Sequence, residues 1–151
     1  MSSKELLKAK DCAYRLLAYR PRSTQELTER LEKKGFESAI IKETIASLSA
    51  LDYLNDEKFA RSWVKTKMQL SPVGAGLLRF QLRQKGLANE IINLVLGEYH
   101  KQYDEIETAI QLVNSRKKQY KKLKPQARKR RLYGYLKRRG FSQEAIIKAI
   151  A

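Results

Sequence analysis

A glycine-centred segment recurs three times in this chain, and that recurrence constrains the fold more than any other feature. Leu27 and Leu31 stand eight and four residues before Gly35, Phe36 follows it, and Ile41 and Ile45 come six and ten after it. Leu78, Leu82, Gly86, Leu87, Ile92 and Leu96 repeat those offsets, as do Leu132, Leu136, Gly140, Phe141, Ile146 and Ile150. The glycines lie 51 and then 54 residues apart. Self-similarity at such a period marks a repeat protein.

One copy has a simple physical reading. Leucines four apart share a helical face, and a glycine just beyond them ends the helix where φ > 0 costs nothing. The apolar residue after the glycine packs back on the last turn. A second helix then starts near Ser38, Asn89 or Ser142, whose side chains are suited to cap it. Each copy is helix, tight turn, helix, and a pair of such short helices is marginal in water without neighbours.

The rest of the chain completes each pair to a triplet. A first helix is expected from about Ser3 to Tyr19, with Ala9, Cys12, Ala13, Leu16 and Leu17 as its apolar stripe and Cys12 buried as an inert thiol. Arg20-Pro21-Arg22 breaks it, and Ser23 with Glu26 forms a capping box for the next helix. Phe59, Ala60, Trp63 and Val64 share a face after Asn55 and Asp56. Pro72-Val73-Gly74 and Lys124-Pro125 mark later breaks. The expectation is an all-α chain of three tandem three-helix modules, residues 1–54, 55–103 and 104–151. Modules that touch mainly their neighbours give an elongated, curved body.

Charge separates the modules. The chain has 32 Lys and Arg against 16 Asp and Glu, a formal net charge of +16. Residues 1–55 carry net +2, residues 56–103 net +4 and residues 104–151 net +10. An excess of this kind implies anionic partners, with DNA, RNA or an acidic protein surface first. No run of apolar residues is long enough to span a membrane, and the N-terminal stretch, charged from Lys4 onward, does not read as a secretory signal. A lone cysteine supports a reducing, cytoplasmic setting.

Catalysis finds little support. His100 is the only histidine and reads as a surface residue. Asp56-Glu57 and Asp104-Glu105 read as first-turn acids answering helix dipoles rather than as paired catalytic carboxylates. Gly74 and Gly76 lack a phosphate-loop context. The reading is a non-enzymatic, monomeric protein with no cofactor and no metal.

The basic stretch is where function points. From Thr108 to Gln143 there is no acidic residue, and 13 positions are Lys or Arg. With Leu132 and Leu136 toward the core, Arg130, Arg131, Lys137 and Arg138 point outward around Gly134. The glycine opens a close approach to the backbone there. Tyr120, Tyr133 and Tyr135 interleave the charges, with Tyr135 nearest the core. The candidate anion-binding surface adds Arg116, Lys117, Lys118, Lys121, Lys122, Arg128, Lys129 and Arg139, with Arg79, Arg83 and Lys85 from the middle copy. The matching helix of the first copy carries Glu26, Glu29 and Glu32 and cannot serve the same partner.

These residues resemble the RecX family of bacterial regulators of the RecA recombinase. Tyr53-Leu54-Asn55-Asp56 followed by Phe59-Ala60 and Trp63-Val64 matches the family's YLDD..FA..WV pattern, and these residues are mainly structural. Arg22-Ser23, Glu26-Leu27, Lys34-Gly35, Lys85-Gly86 and Arg138-Arg139-Gly140-Phe141-Ser142 support it. Asp52 stands where a glycine is usual, and Asn55 replaces an aspartate. The resemblance implies a crescent lying in the groove of the RecA–single-stranded DNA filament. It implies inhibition of ATP hydrolysis, strand exchange and co-protease activity, by blocking filament growth or promoting disassembly, and hence a role in DNA repair, recombination and the SOS response. DNA, single-stranded and more weakly double-stranded, is the second implied partner. The residues alone leave two rivals: a basic helical-repeat DNA-binding protein acting on RecA only indirectly, and a scaffold for another acidic protein.

Overall fold

Breakers and caps divide the chain into nine α-helices among the described residues, 3–151, of the computed structural model, with no strand among them. They are α1 (Ser3–Tyr19), α2 (Thr24–Lys33), α3 (Ser38–Ala50), α4 (Asp56–Leu70), α5 (Ala75–Gln84), α6 (Asn89–Gln102), α7 (Glu105–Arg116), α8 (Pro125–Arg138) and α9 (Gln143–Ile150). Gly35, Gly86 and Gly140 all adopt positive φ, at 90°, 77° and 85°, just past the ends of α2, α5 and α8. The Phe36, Leu87 and Phe141 amides each donate back to the carbonyl five residues earlier, closing the turn in the same way three times.

The capping box at Ser23 and Glu26 forms as the spacing requires. Asn55, Asp104 and Ser142 cap α4, α7 and α9 with their side chains. Ser38 and Asn89 do not cap. They are the first helical residues, and the N-cap positions fall to Glu37 and Ala88, neither of which makes a side-chain cap bond. Those two helices are held by packing instead. Cys12 is half-buried rather than buried, at the edge of the first core.

Each triplet has its own core. Ala13, Leu27, Leu31, Ile41, Leu48 and Leu54 form the first. Phe59, Ala60, Val64, Met68, Leu78, Leu82, Ile92 and Leu96 belong to the second, where the buried Tyr99 hydroxyl donates to the Val73 carbonyl at 2.9 Å. Ala109, Val113, Leu132, Leu136, Phe141 and Ile146 belong to the third. The accessible surface is 9850 Å². A compact protein of this mass would expose about 7,900 Å². Three small cores in a row leave that extra surface, so the body is elongated.

The modules join by one recurring contact: the glycine turn ending the second helix of one module seats on the N-terminus of the second helix of the module before it. At the first joint the Ser23 hydroxyl donates to the Lys85 carbonyl at 2.6 Å, and Lys85 pairs with Glu26 at 3.5 Å. At the second, the Gly74 and Gly76 amides donate to the Arg139 and Gly140 carbonyls at 2.8 and 3.0 Å. Arg139 also donates to Ser71 and to the Pro72 carbonyl. Free helix donors thus meet free helix acceptors, and the dipoles run head to tail. Gly74 and Gly76 have no side chain because a Cβ at either would overlap the Gly140 backbone.

A carboxylate completes each joint. Asp56 accepts from the Thr24 amide at 2.7 Å, and Glu105 from the Ala75 amide at 3.3 Å. These first-turn acids therefore cap a helix of the preceding module, which the helix-dipole reading of their own helices did not anticipate. In the third module α8 starts one turn earlier, so Arg128 occupies the register of Ser23 and Gly74 inside a helix. Its guanidinium turns onto the Tyr120, Lys121 and Leu123 carbonyls.

Candidate nucleic-acid interface

The outward face of α8 forms one wall of an open groove of about 550 Å³, lined by Tyr120, Leu123, Ala127, Arg130, Arg131, Gly134 and Arg138. α8 presents the adjacent Arg130 and Arg131, then Gly134 and Arg138, on successive turns. The connection after α7 supplies Tyr120 and Leu123. Arg130, Arg131 and Arg138 are exposed, and among the described residues no acidic side chain pairs with any of them. Guanidiniums so placed repel one another and offer bidentate donors to phosphate. The space at Gly134 is partly taken by Arg138, whose guanidinium lies 3.1 Å from where a Cβ would sit. What Gly134 presents there is the Arg138 guanidinium, where the sequence suggested bare backbone.

The other candidate residues divide by what they touch. Lys117, Lys118, Lys121 and Lys122 are exposed along the α7–α8 connection, with Lys129 beside them on α8. Lys137 turns aside to lie 5.7 Å from the Tyr133 ring centre. Arg116 and Arg139 both stack on the buried Tyr135, at 4.2 and 5.0 Å, and Arg139 is also spent on the joint. Arg128 holds the connection. Lys85 serves the first joint and lies over Phe59 and Trp63. Arg79 donates to Asn93 at 3.0 Å, while Arg83 is exposed. The free cationic groups are thus concentrated around the α8 groove and the connection that borders it.

Sequence reasoning passed over Phe80. It is 56% exposed on α5, beside Arg79 and Arg83, at the register of Gly134 in the next copy. An aromatic between cations on an outward helical face is a stacking surface. Its signal was available, since it sits on the face opposite Leu78 and Leu82.

The motif around Tyr53 is structural at most positions. Leu54, Phe59 and Ala60 are buried, and Trp63 packs against the second core. Asn55 accepts from the Lys58 amide, and Asp56 makes the joint. Asp52 adopts φ 61°, the conformation a glycine would take freely, and its carboxylate is held by Asn55 and Lys58. Those two hydrogen bonds, Asn55 first, keep that carboxyl below its ordinary range. Tyr53 is exposed and meets Tyr14 edge-on at 5.2 Å.

Sequence models of the first, second and third three-helix domains of RecX match residues 9–48, 55–96 and 103–150. The chain belongs to the RecX family. It is 34% identical over 144 residues to the regulatory protein RecX of Bacillus cytotoxicus, covering 95% of this chain and 53% of that one. It is 32% identical to the regulatory protein RecX of Prosthecochloris aestuarii, covering 97% and 93%. The chain therefore spans about half the length of the Bacillus relative and nearly all of the other. The crystal structure of RecX from Lactobacillus salivarius superposes with a TM-score of 0.86 at 24% identity, over 99% of this chain and 96% of that one, and shares its fold. Among the described residues no helix is long and apolar enough to cross a membrane, and no cluster of His, Cys, Asp or Glu is suited to a metal.

Proposed function

We propose that this RecX-family chain binds the RecA–single-stranded DNA filament along its helical groove and inhibits RecA ATP hydrolysis, strand exchange and co-protease activity. The observation that carries this reading is the pairing of an elongated, head-to-tail body with an acid-free groove on its last module. A groove in a nucleoprotein filament is lined by protein and by phosphate at once. A body with free guanidiniums at one end and a nearly neutral first module suits that mixed surface. Arg130, Arg131 and Arg138 take phosphate oxygens, with the lysines of the α7–α8 connection adding charge nearby. The glycine-on-helix joints hold the modules in a fixed relation, so bridging neighbouring protomers opposes the rearrangements that ATP turnover needs. Bound duplex DNA is excluded from the same groove. The chain acts in the cytoplasm as a monomer, without cofactor, by occupancy rather than by chemistry.

The deciding measurement is RecA ATP hydrolysis on single-stranded DNA, titrated with this chain at physiological salt. Inhibition well below one molecule per RecA protomer is expected, and points to blocked extension or disassembly over coating. Inhibition only at DNA-saturating concentrations would instead support a basic helical-repeat DNA-binding protein with an indirect effect. The same acid-free groove on α8 is the observation that favours that second reading.

A further inference from the structure

The three modules are close enough copies that each serves as a control for the others, and one groove is open in the first module and bridged in the second. Between α2 and α3 lies a groove of about 490 Å³, lined by Thr28, Glu32, Ser38, Ile41, Lys42, Ile45 and Ala46. Shifting by the 51-residue repeat gives Arg79, Arg83, Asn89, Ile92, Asn93, Leu96 and Gly97. In the second module Arg79, half-buried, crosses from α5 and donates to Asn93 on α6 at 3.0 Å. Leu96, at the floor position between them, is only 3% exposed. In the first module the residue at that position is Thr28, whose hydroxyl turns back to the Thr24 carbonyl at 2.8 Å. Nothing crosses, and Ile45, the counterpart of Leu96, is left half-buried.

The rims differ in charge as well as in size. Glu32 stands where the second module has Arg83, and Lys42 where it has Asn93. Both are exposed, and neither is in an ion pair among the described residues. An apolar floor with a carboxylate on one wall and an ammonium on the other selects its occupant. In the second module the Arg79 guanidinium ends on Asn93, the register of Lys42, so in the first module that wall is already cationic and the Glu32 wall is the one left for a cation.

We propose that the α2–α3 groove of the first module docks an amphipathic helix of a protein partner, whose arginine enters from outside the slot that Arg79 spans from within in the second module. That arginine lays its stem over Ile41 and Ile45 and pairs with Glu32, on the wall opposite the one that Arg79 reaches. A carboxylate one turn along the same helix answers Lys42, and apolar side chains between them cover the floor. Nucleic acid is disfavoured by Glu32 and by Glu29 beside it. This surface lies on a different module from the basic groove and does not depend on the filament reading.

The test uses the intact chain and a stapled amphipathic helical peptide carrying Arg and Glu one turn apart around two leucines. Peptide is titrated into isotopically labelled protein, and amide shifts are followed by NMR. Saturable shifts confined to Thr28, Ile41, Ile45 and their neighbours are expected. Thr28→Arg with Lys42→Asn copies the bridge of the second module and closes the groove from inside. That variant should melt no lower than the parent and bind the peptide about tenfold or more weakly. Glu32→Lys, which leaves the groove open, should also weaken binding and should be partly rescued by a peptide with Arg and Glu exchanged. Shifts spread over the surface, or equal shifts in the closed variant, would overturn the proposal. So would shifts at these amides produced by an oligonucleotide, or by protein concentration alone, since the occupant would then be a nucleic acid or a second copy.

Discussion

The first and third modules share a backbone and differ at almost every outward position of their second helix. Where α8 carries Arg130, Arg131, Gly134 and Lys137, α2 carries Gln25, Glu26, Glu29 and Glu32 in the same registers. Their glycine turns are equally close in geometry, φ 85° and 90°, and opposite in surroundings. A Cβ at Gly140 would overlap Leu77, while one at Gly35 would meet nothing within 4 Å. The difference teaches that the repeat fixes the core leucines, the turn glycine, the apolar residue after it and the two apolar positions of the next helix, and little else. Outward positions are free to take opposite chemistry, so one fold carries a strongly cationic second helix at one end and an acidic one at the other.

The sharpest break of that comparison is to give the third module the charge of the first. Arg130, Arg131 and Arg138 changed together to Glu should lower single-stranded DNA affinity about 100-fold at 0.1 M salt, with the slope of log K against log salt flatter by about 2. Fluorescence anisotropy across a salt series reads both. Glu29→Lys with Glu32→Lys should leave DNA affinity undiminished. If the triple reversal leaves the salt slope unchanged, the α8 groove holds no phosphate.

The two glycines make the next test. Gly140→Ala forces a left-handed alanine into a closed joint and should destabilise the protein by about 3 kcal/mol, adding strain to overpacking. Gly35→Ala has the strain alone, about 1 kcal/mol. Urea unfolding compares them directly, and equal losses would mean that the joint contributes nothing to stability. Arg139→Ala, which removes the bonds to Ser71 and Pro72 but leaves the glycine contacts, should fall between them at about 2 kcal/mol.

The smallest effect concerns acid. Burial pushes the Glu26 carboxyl up, but the Ser23 amide, Arg20 and Lys85 outweigh it and hold it below its ordinary value of 4.5. A carboxyl lowered on folding adds stability above its unfolded pKa and loses it as pH falls through the folded one. Stability from the first joint should therefore be complete above about pH 4.5 and decline below it. Thermal melts of Glu26→Gln against the parent should differ at neutral pH and converge toward pH 3; constant separation would sink this role.

Much of this protein was legible in its residues. Leucine spacing, turn glycines and the Ser23–Glu26 box determined the helices, the triplets and the repeat, because each rests on local geometry and on contacts within one turn or one pair. The charge gradient along the chain was legible too, since exposed cations need no neighbour to be counted. Tertiary structure alone decided the rest. Asp56 and Glu105 cap helices of a different module, and Lys85 and Arg139 serve joints. Arg116 lies on Tyr135, and Arg79 bridges two helices where Thr28 does not. Each of these depends on residues dozens of positions apart meeting in space, and a side chain's charge does not say whether that charge is already answered within the fold.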